Sequence, residues 1–195
     1  MIEQNNAKDY AEWCVNNWTP ETLMMFWNKV YKKRNDALFK HMQPYLPDHV
    51  HVLDLAAGSS YLAEKFLTLE NVKSYTWNDI NPVLINMVDN RVTDERFKID
   101  NFDAEDMLVD FSNFNVFICV SLEHLENDIS IMERLSKGCI VGVCSPNFGG
   151  KEHVRSFKTS CKFQERYKDY IDPIEEYGIR HGKNGRKFIL IGRKK

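Results

Sequence analysis

From His49 onward, apolar runs of strand length alternate with segments of helical period along this 195-residue chain. HVHVLDL (49–55), VKSYTW (72–77), NVFICV (115–120) and CIVGVC (139–144) read as strands, and FKI (97–99) is a short third-strand candidate. YLAEKFLTL (61–69) and VLINMVDNRV (83–92) read as helices, the second with Asn81 as N-cap and Pro82 in its first turn. LEHLENDISIMERLSKG (122–138) reads as a single helix closed by Gly138. Strands alternating with helices predict a mostly parallel sheet covered on both faces. The unbroken apolar character of NVFICV and CIVGVC fits strands buried on both sides. Asn184-Gly185, between YGIRH and KFILIG, is a tight-turn signal and predicts a terminal antiparallel hairpin.

The N-terminal part differs. Leu23, Phe26, Trp27, Val30, Leu38 and Met42 mark one face of a helix. Thr19, Pro20 and Glu21 supply a cap, a first-turn proline and an acid at the positive end of the dipole. Pro44 and Pro47 end it. This divides the chain into a helical segment, 1–48, and an α/β core, 49–195.

Composition narrows the class. The chain has 43% hydrophobic residues and a net charge of −2, which excludes a disordered or uniformly basic protein. Neither a membrane-spanning run nor a signal peptide is read from the sequence. None of the five cysteines has CxxC spacing, so a disulfide framework is not expected, nor is a metal. A reducing cytoplasmic setting is the expectation. The near-neutral total hides an asymmetry. Residues 1–150 hold 13 Lys+Arg against 22 Asp+Glu, whereas residues 151–195 hold 13 against 6. The basic C-terminal region makes an anionic small-molecule ligand, such as a phosphorylated or acidic sugar, one hypothesis; a solvated helix face is the other.

Four places carry candidate chemistry. VLDLAAGSSYLAEKF (52–66) runs from a strand ending in Asp54, through small residues, into a helix. There a ligand can approach the backbone and meet free N–H groups, or the turn is simply a tight one. Asp79, after the second strand, can accept from ribose hydroxyls or cap the helix beside it. Seven acids lie between Asp94 and Asp110. Most read as a solvated face, with Asp103, followed by Ala104, placed to receive an adenine amino group. Ser121, Leu122, Glu123 and His124 follow a buried strand at the sheet's carboxyl edge. His124 is a base candidate there, against ordinary helix-start chemistry.

Together these features resemble the class I S-adenosylmethionine-dependent methyltransferases, in particular small single-domain members with a Leu-Glu-His element after strand four. VLDLAAGSS, WNDINP, NFDAEDM, VSLEHLEN and SPNFGGKEHVRSF follow the family's motif order over about residues 50–195. The resemblance implies a Rossmann-like three-layer α/β sandwich with a seven-stranded, mostly parallel sheet in the order 3-2-1-4-5-7-6. It implies a cofactor site with Asp54 near the methionine amino group, Ala56 and Gly58 lining the loop, and Asp79 on the ribose. Ile80 would cover the adenine, Asp103 and Ala104 would read its edge, and Ser121 would sit at the methionine end. His124 and Glu123 become catalytic candidates, and His153 and Arg155 substrate-side candidates. Segment 1–48 resembles the family's lids, with Trp27, Tyr31 and Arg34 as the residues closing over the cofactor. One departure stands out: the three glycine positions of the first motif hold Ala56, Gly58 and Ser60.

The implied activity is methyl transfer from S-adenosylmethionine, leaving S-adenosylhomocysteine, to an oxygen or nitrogen of a small-molecule or glycan-like acceptor. VSLE stands where amine-directed enzymes carry an NPPY-type element, which disfavours a nucleobase amine and leaves nucleic acid a minor candidate. The alternatives are a catalytically silent binding module of the same fold, motivated by the thinned glycine loop, and a methyltransferase acting on RNA or protein. A dehydrogenase ranks lower, because AAGSSY (56–61) is not the dinucleotide fingerprint.

Overall fold

Thr19 opens the first helix as expected: its hydroxyl accepts from the Thr22 amide and Pro20 occupies the first turn. The structure, a computed structural model, describes residues 17, 19–89, 91–149, 153–181 and 185–195. Helix α1 (Pro20–Met42) passes into a 3₁₀ turn at Gln43–Tyr45. The side chains of Leu23, Phe26, Trp27 and Val30 lie outside the described positions. The C-terminal half of α1 belongs to the core, where Leu38 and Met42 are fully buried. Gly142 admits Met42, whose sulfur lies 2.3 Å from where a Cβ at position 142 would be.

The remaining elements follow the predicted alternation. They are β1 (Val50–Asp54), α2 (Tyr61–Phe66), β2 (Val72–Asn78), α3 (Pro82–Asp89), β3 (Phe97–Asp100) and β4 (Val116–Cys119). Then come α4 (Asp128–Arg134), β5 (Ile140–Pro146), α5 (Ser160–Tyr167), β6 (Ile171–His181) and β7 (Gly185–Lys194). The sheet order is β3-β2-β1-β4-β5-β7-β6, parallel except for the β5–β7 and β6–β7 pairings. The expected order and terminal hairpin are therefore present. Asn184 lies outside the described residues, while Gly185 is a strand residue paired with His181.

Alternate residues of each central strand feed two cores. Val52, Ile118 and Ile189 pack with α1, α2 and α3; Leu53, Phe117 and Leu190 pack with α4 and α5. Covering both faces explains why these strands are apolar throughout.

The single helix expected over 122–138 is broken in two. Leu122–His124 forms a 3₁₀ turn, Leu125 is extended, and α4 starts only at Asp128. Asp128 is fully buried and holds Arg155, Arg166 and Tyr167, and this fixed anchor interrupts the helical path. Gly138 does adopt a left-handed φ of 84°, but in the turn entering β5, where its amide donates to Lys194.

Candidate functional site

The site begins with Asp54, the last residue of β1, which lies between Trp77 of β2 and Ile118 of β4. Its neighbours Leu53 and Leu55 pack toward α4 and α5, so its side chain turns to the other face and meets Tyr75. The Tyr75 hydroxyl donates to Oδ2 at 2.5 Å, while Oδ1 is buried and has no hydrogen-bond partner among the described residues. Burial pushes the Asp54 carboxyl up to about 7, against the opposing pull of Tyr75 and Arg34. An unpaired buried carboxylate oxygen suits an ammonium group or a bridging water.

The loop after β1 folds back on its neighbours. Leu55 donates to the Ile118 carbonyl, Ala57 to that of Asn78, and Gly58 to Asp79 Oδ2 at 2.9 Å. Two residues take left-handed backbone, Gly58 at φ 68° and Ala56 at φ 50°. Only the first is free of a Cβ, so the alanine at the first motif position holds a conformation that L-residues disfavour.

Asp79 caps the helix beside it, one of the two roles that its sequence context allowed. Its Oδ1 accepts from the Asn81 amide at the start of α3, and its Oδ2 from Gly58. A carboxylate accepts about four hydrogen bonds, so capacity remains for a pair of hydroxyls. Burial raises its pKa, and the backbone donors pull the other way. Ile80 beside it is 42% exposed, an apolar surface that a flat ring can cover. The side-chain amide of Asn78 donates to the carbonyls of Asp100 and Phe102, fixing the segment that carries Asp103 and Ala104. Asp103 is exposed and accepts from the Glu105 amide, whereas Ala104 is buried with its carbonyl on Arg134.

Past β4 the charges converge. Arg34, buried on α1, donates to the Val120 carbonyl at 3.0 Å and stacks 4.3 Å from the Tyr31 ring. The Lys187 ammonium of β7 lies 5.3 Å from the same ring. It also donates to Glu123 Oε1 at 3.0 Å, and both partners are buried. Burial pushes Glu123 up, but Lys187 and His124 outweigh it and leave the carboxyl below its usual range. Ser121 opens the 3₁₀ turn, its carbonyl accepting from the His124 amide. His124 and His153 are half-buried, their rings 5.1 Å apart at 73°. The Val154 amide donates to the Glu123 carbonyl, tying the two segments together.

The structure thus gathers Asp54, Ala56, Gly58, Asp79, Ile80, Arg34, Ser121, Glu123, His124 and His153 along the carboxyl ends of β1, β2 and β4, where open parallel sheets bind ligands. Arg155 is engaged elsewhere: it bridges Asp128 at 2.8 Å and donates to the carbonyls of Leu125 and Glu126. Its charge supports the 122–128 segment. Sequence reading missed Lys187, Tyr75 and Asn78. Lys187 stands beside Arg186 at the edge of the apolar run of β7, so its burial becomes visible only once the strands are paired.

No family model and no curated protein matches the sequence. Solved structures do match the fold. The N-methyltransferase NodS of Bradyrhizobium japonicum, in complex with S-adenosyl-L-homocysteine, superposes with a TM-score of 0.70 at 12% identity, covering 98% of this chain and 99% of that one. The 1,6-didemethyltoxoflavin-N1-methyltransferase of Burkholderia thailandensis, with bound 1,6-didemethyltoxoflavin and S-adenosylhomocysteine, gives 0.70 at 16%, covering 95% and 87%. The [4+2]-cyclase SpnF gives 0.67 at 13%, covering 86% and 82%. With its strand order, its antiparallel β7 and these superpositions, the chain carries the fold of the class I S-adenosylmethionine-dependent methyltransferases.

Proposed function

We propose that the chain transfers a methyl group from S-adenosylmethionine to an oxygen or nitrogen of a small-molecule or glycan-like acceptor. The observation that carries this reading is the unpaired buried oxygen of Asp54, set between a loop locked by Asp79 and a cation from α1. Asp79 would hold the ribose hydroxyls with its remaining acceptor capacity, and Ile80 would cover the adenine. Asp103 and Ala104 would border the adenine edge. Arg34 would face the methionine carboxylate, with Asp54 and Ser121 near the amino group. When bound, the cofactor supplies a sulfonium methyl whose leaving group is a neutral thioether. The protein then has to align the acceptor and remove its proton. His124, half-buried beside the site, fits the base; Glu123, paired to Lys187, fits an orienting role. Tyr31 and Arg34 of α1 would close over the cofactor as the expected lid, next to the part of α1 that Leu38 and Met42 fix in the core.

Calorimetric titration with S-adenosylhomocysteine tests the reading. One-to-one binding supports it, and the absence of saturable binding overturns it. A second reading, a binding module of this fold without methyl transfer, rests on the left-handed Ala56. No measurable affinity for S-adenosylmethionine or S-adenosylhomocysteine would favour it.

A further inference from the structure

The structure places a carboxylate oxygen of Glu123 and ring nitrogens of His124 and His153 within 4.8 Å of one another. We propose that these three side chains form a binding site for a divalent first-row transition cation, at the carboxyl edge of the sheet. The sequence reading expected no metal. Its spacing gave no reason to, because His153 arrives from the segment after β5, far along the chain from the Glu-His pair.

The donor set is one carboxylate and two imidazoles, which suits zinc, iron, cobalt or manganese better than magnesium or calcium. Glu123 is 1% exposed; Lys187 takes its Oε1, and Oε2 has no hydrogen-bond partner among the described residues. A buried carboxylate oxygen without a partner needs one, and a cation supplies it. Glu123 and His153 are held from behind. Lys187 fixes Glu123, and His153 Nδ1 lies 3.2 Å from the Phe148 carbonyl. Donation of Nδ1–H to that carbonyl leaves Nε2 as the coordinating atom, the arrangement that outer-shell partners impose on metal-binding histidines. The two rings meet edge to face. Ligand bonds of about 2.0–2.2 Å require the three donors to draw in by about an ångström. The half-buried histidine side chains can do this by small rotations.

Three protein ligands leave coordination positions open for water or an oxygen ligand such as a hydroxyl or carboxylate. The inference does not rest on the methyl-transfer reading. A bound cation would make His124 a ligand instead of a base, so the two roles are separable.

Titration of the purified, metal-stripped protein with Co²⁺, followed by its visible ligand-field absorption, tests the site. One equivalent should bind, and Zn²⁺ should displace it. His124→Gln and His153→Gln should each weaken Co²⁺ at least tenfold, while His49→Gln, at an exposed position outside the cluster, should leave affinity unchanged. Circular dichroism checks that the variants fold. No saturable band, or full affinity in the doubly substituted His124→Gln/His153→Gln protein, overturns the proposal. Cation binding is read without cofactor or acceptor, so its failure leaves the methyl-transfer reading to its own test.

Discussion

The amide of Gly58 donates to Asp79 Oδ2 at 2.9 Å, so the acid that follows β2 also fixes the loop that follows β1. The same carboxylate caps the start of α3 through the Asn81 amide. One side chain thereby sets the mutual position of three elements around the proposed cofactor pocket. Asp79→Ala removes both acceptors. We expect at least tenfold weaker binding of S-adenosylhomocysteine by calorimetry. Urea denaturation should show a loss of about 2 kcal/mol, the scale of hydrogen bonds to a charged group. Unchanged affinity would remove Asp79 from the site.

Ala56 holds a φ of 50° where the related motif has glycine. The left-handed region costs an L-residue roughly 1–2 kcal/mol, partly offset because glycine loses more backbone entropy on folding. Ala56→Gly should therefore raise stability by about 0.5–1 kcal/mol, read as a higher urea midpoint at constant m-value. Affinity for S-adenosylhomocysteine should hold or improve. A destabilised variant would mean that the loop does not keep this conformation in solution.

The fold was legible because local signals agreed. Apolar runs of strand length, Asn81-Pro82 and Thr19-Pro20 each marked an element that formed at that place. The helix over 122–138 was misread because periodicity cannot register Asp128, whose partners Arg155, Arg166 and Tyr167 lie far along the chain. The site divides in the same way. Asp54, at the end of β1, and Gly58 and Asp79, in the segments after β1 and β2, were legible as candidates because they recur together in one strand–loop–helix pattern. Lys187, Tyr75 and the meeting of His124 with His153 depend on strands brought side by side, which no local pattern encodes.

Asp54 gives a pH signature. Burial raises its pKa to about 7, whereas an unfolded carboxylate titrates near ~3.9. Between these values the unfolded chain ionises Asp54 and the folded protein keeps it protonated. Its contribution to stability is therefore complete below the unfolded pKa and is lost as pH rises through the folded one. The slope reaches at most about 1.4 kcal/mol per pH unit. Asp54→Asn keeps an acceptor for Tyr75 and removes the titration. The stability of the native protein relative to this variant should fall as pH rises toward 7 and level off above it, in denaturation curves taken from pH 5 to 8. Because the proposed ammonium contact favours the ionised form, S-adenosylhomocysteine affinity should increase over the same window. A pH-independent difference would show that the carboxyl is ionised throughout.

The Glu123–Lys187 pair, 3.0 Å apart with both groups buried, predicts strong coupling. Lys187→Met leaves the carboxylate uncompensated beneath the site and should cost about 3–5 kcal/mol. Replacing both, as Glu123→Gln with Lys187→Met, removes the buried charges together and should recover most of that loss, because a buried ion pair adds little over neutral groups of similar size. The double-mutant cycle isolates the interaction from the contact of the lysine ammonium with the Tyr31 ring. Additive losses would mean that the two charges do not meet in solution. If Glu123 serves mainly to orient, the double variant should keep S-adenosylhomocysteine binding while losing transfer, a separation that a purely structural pair would not produce.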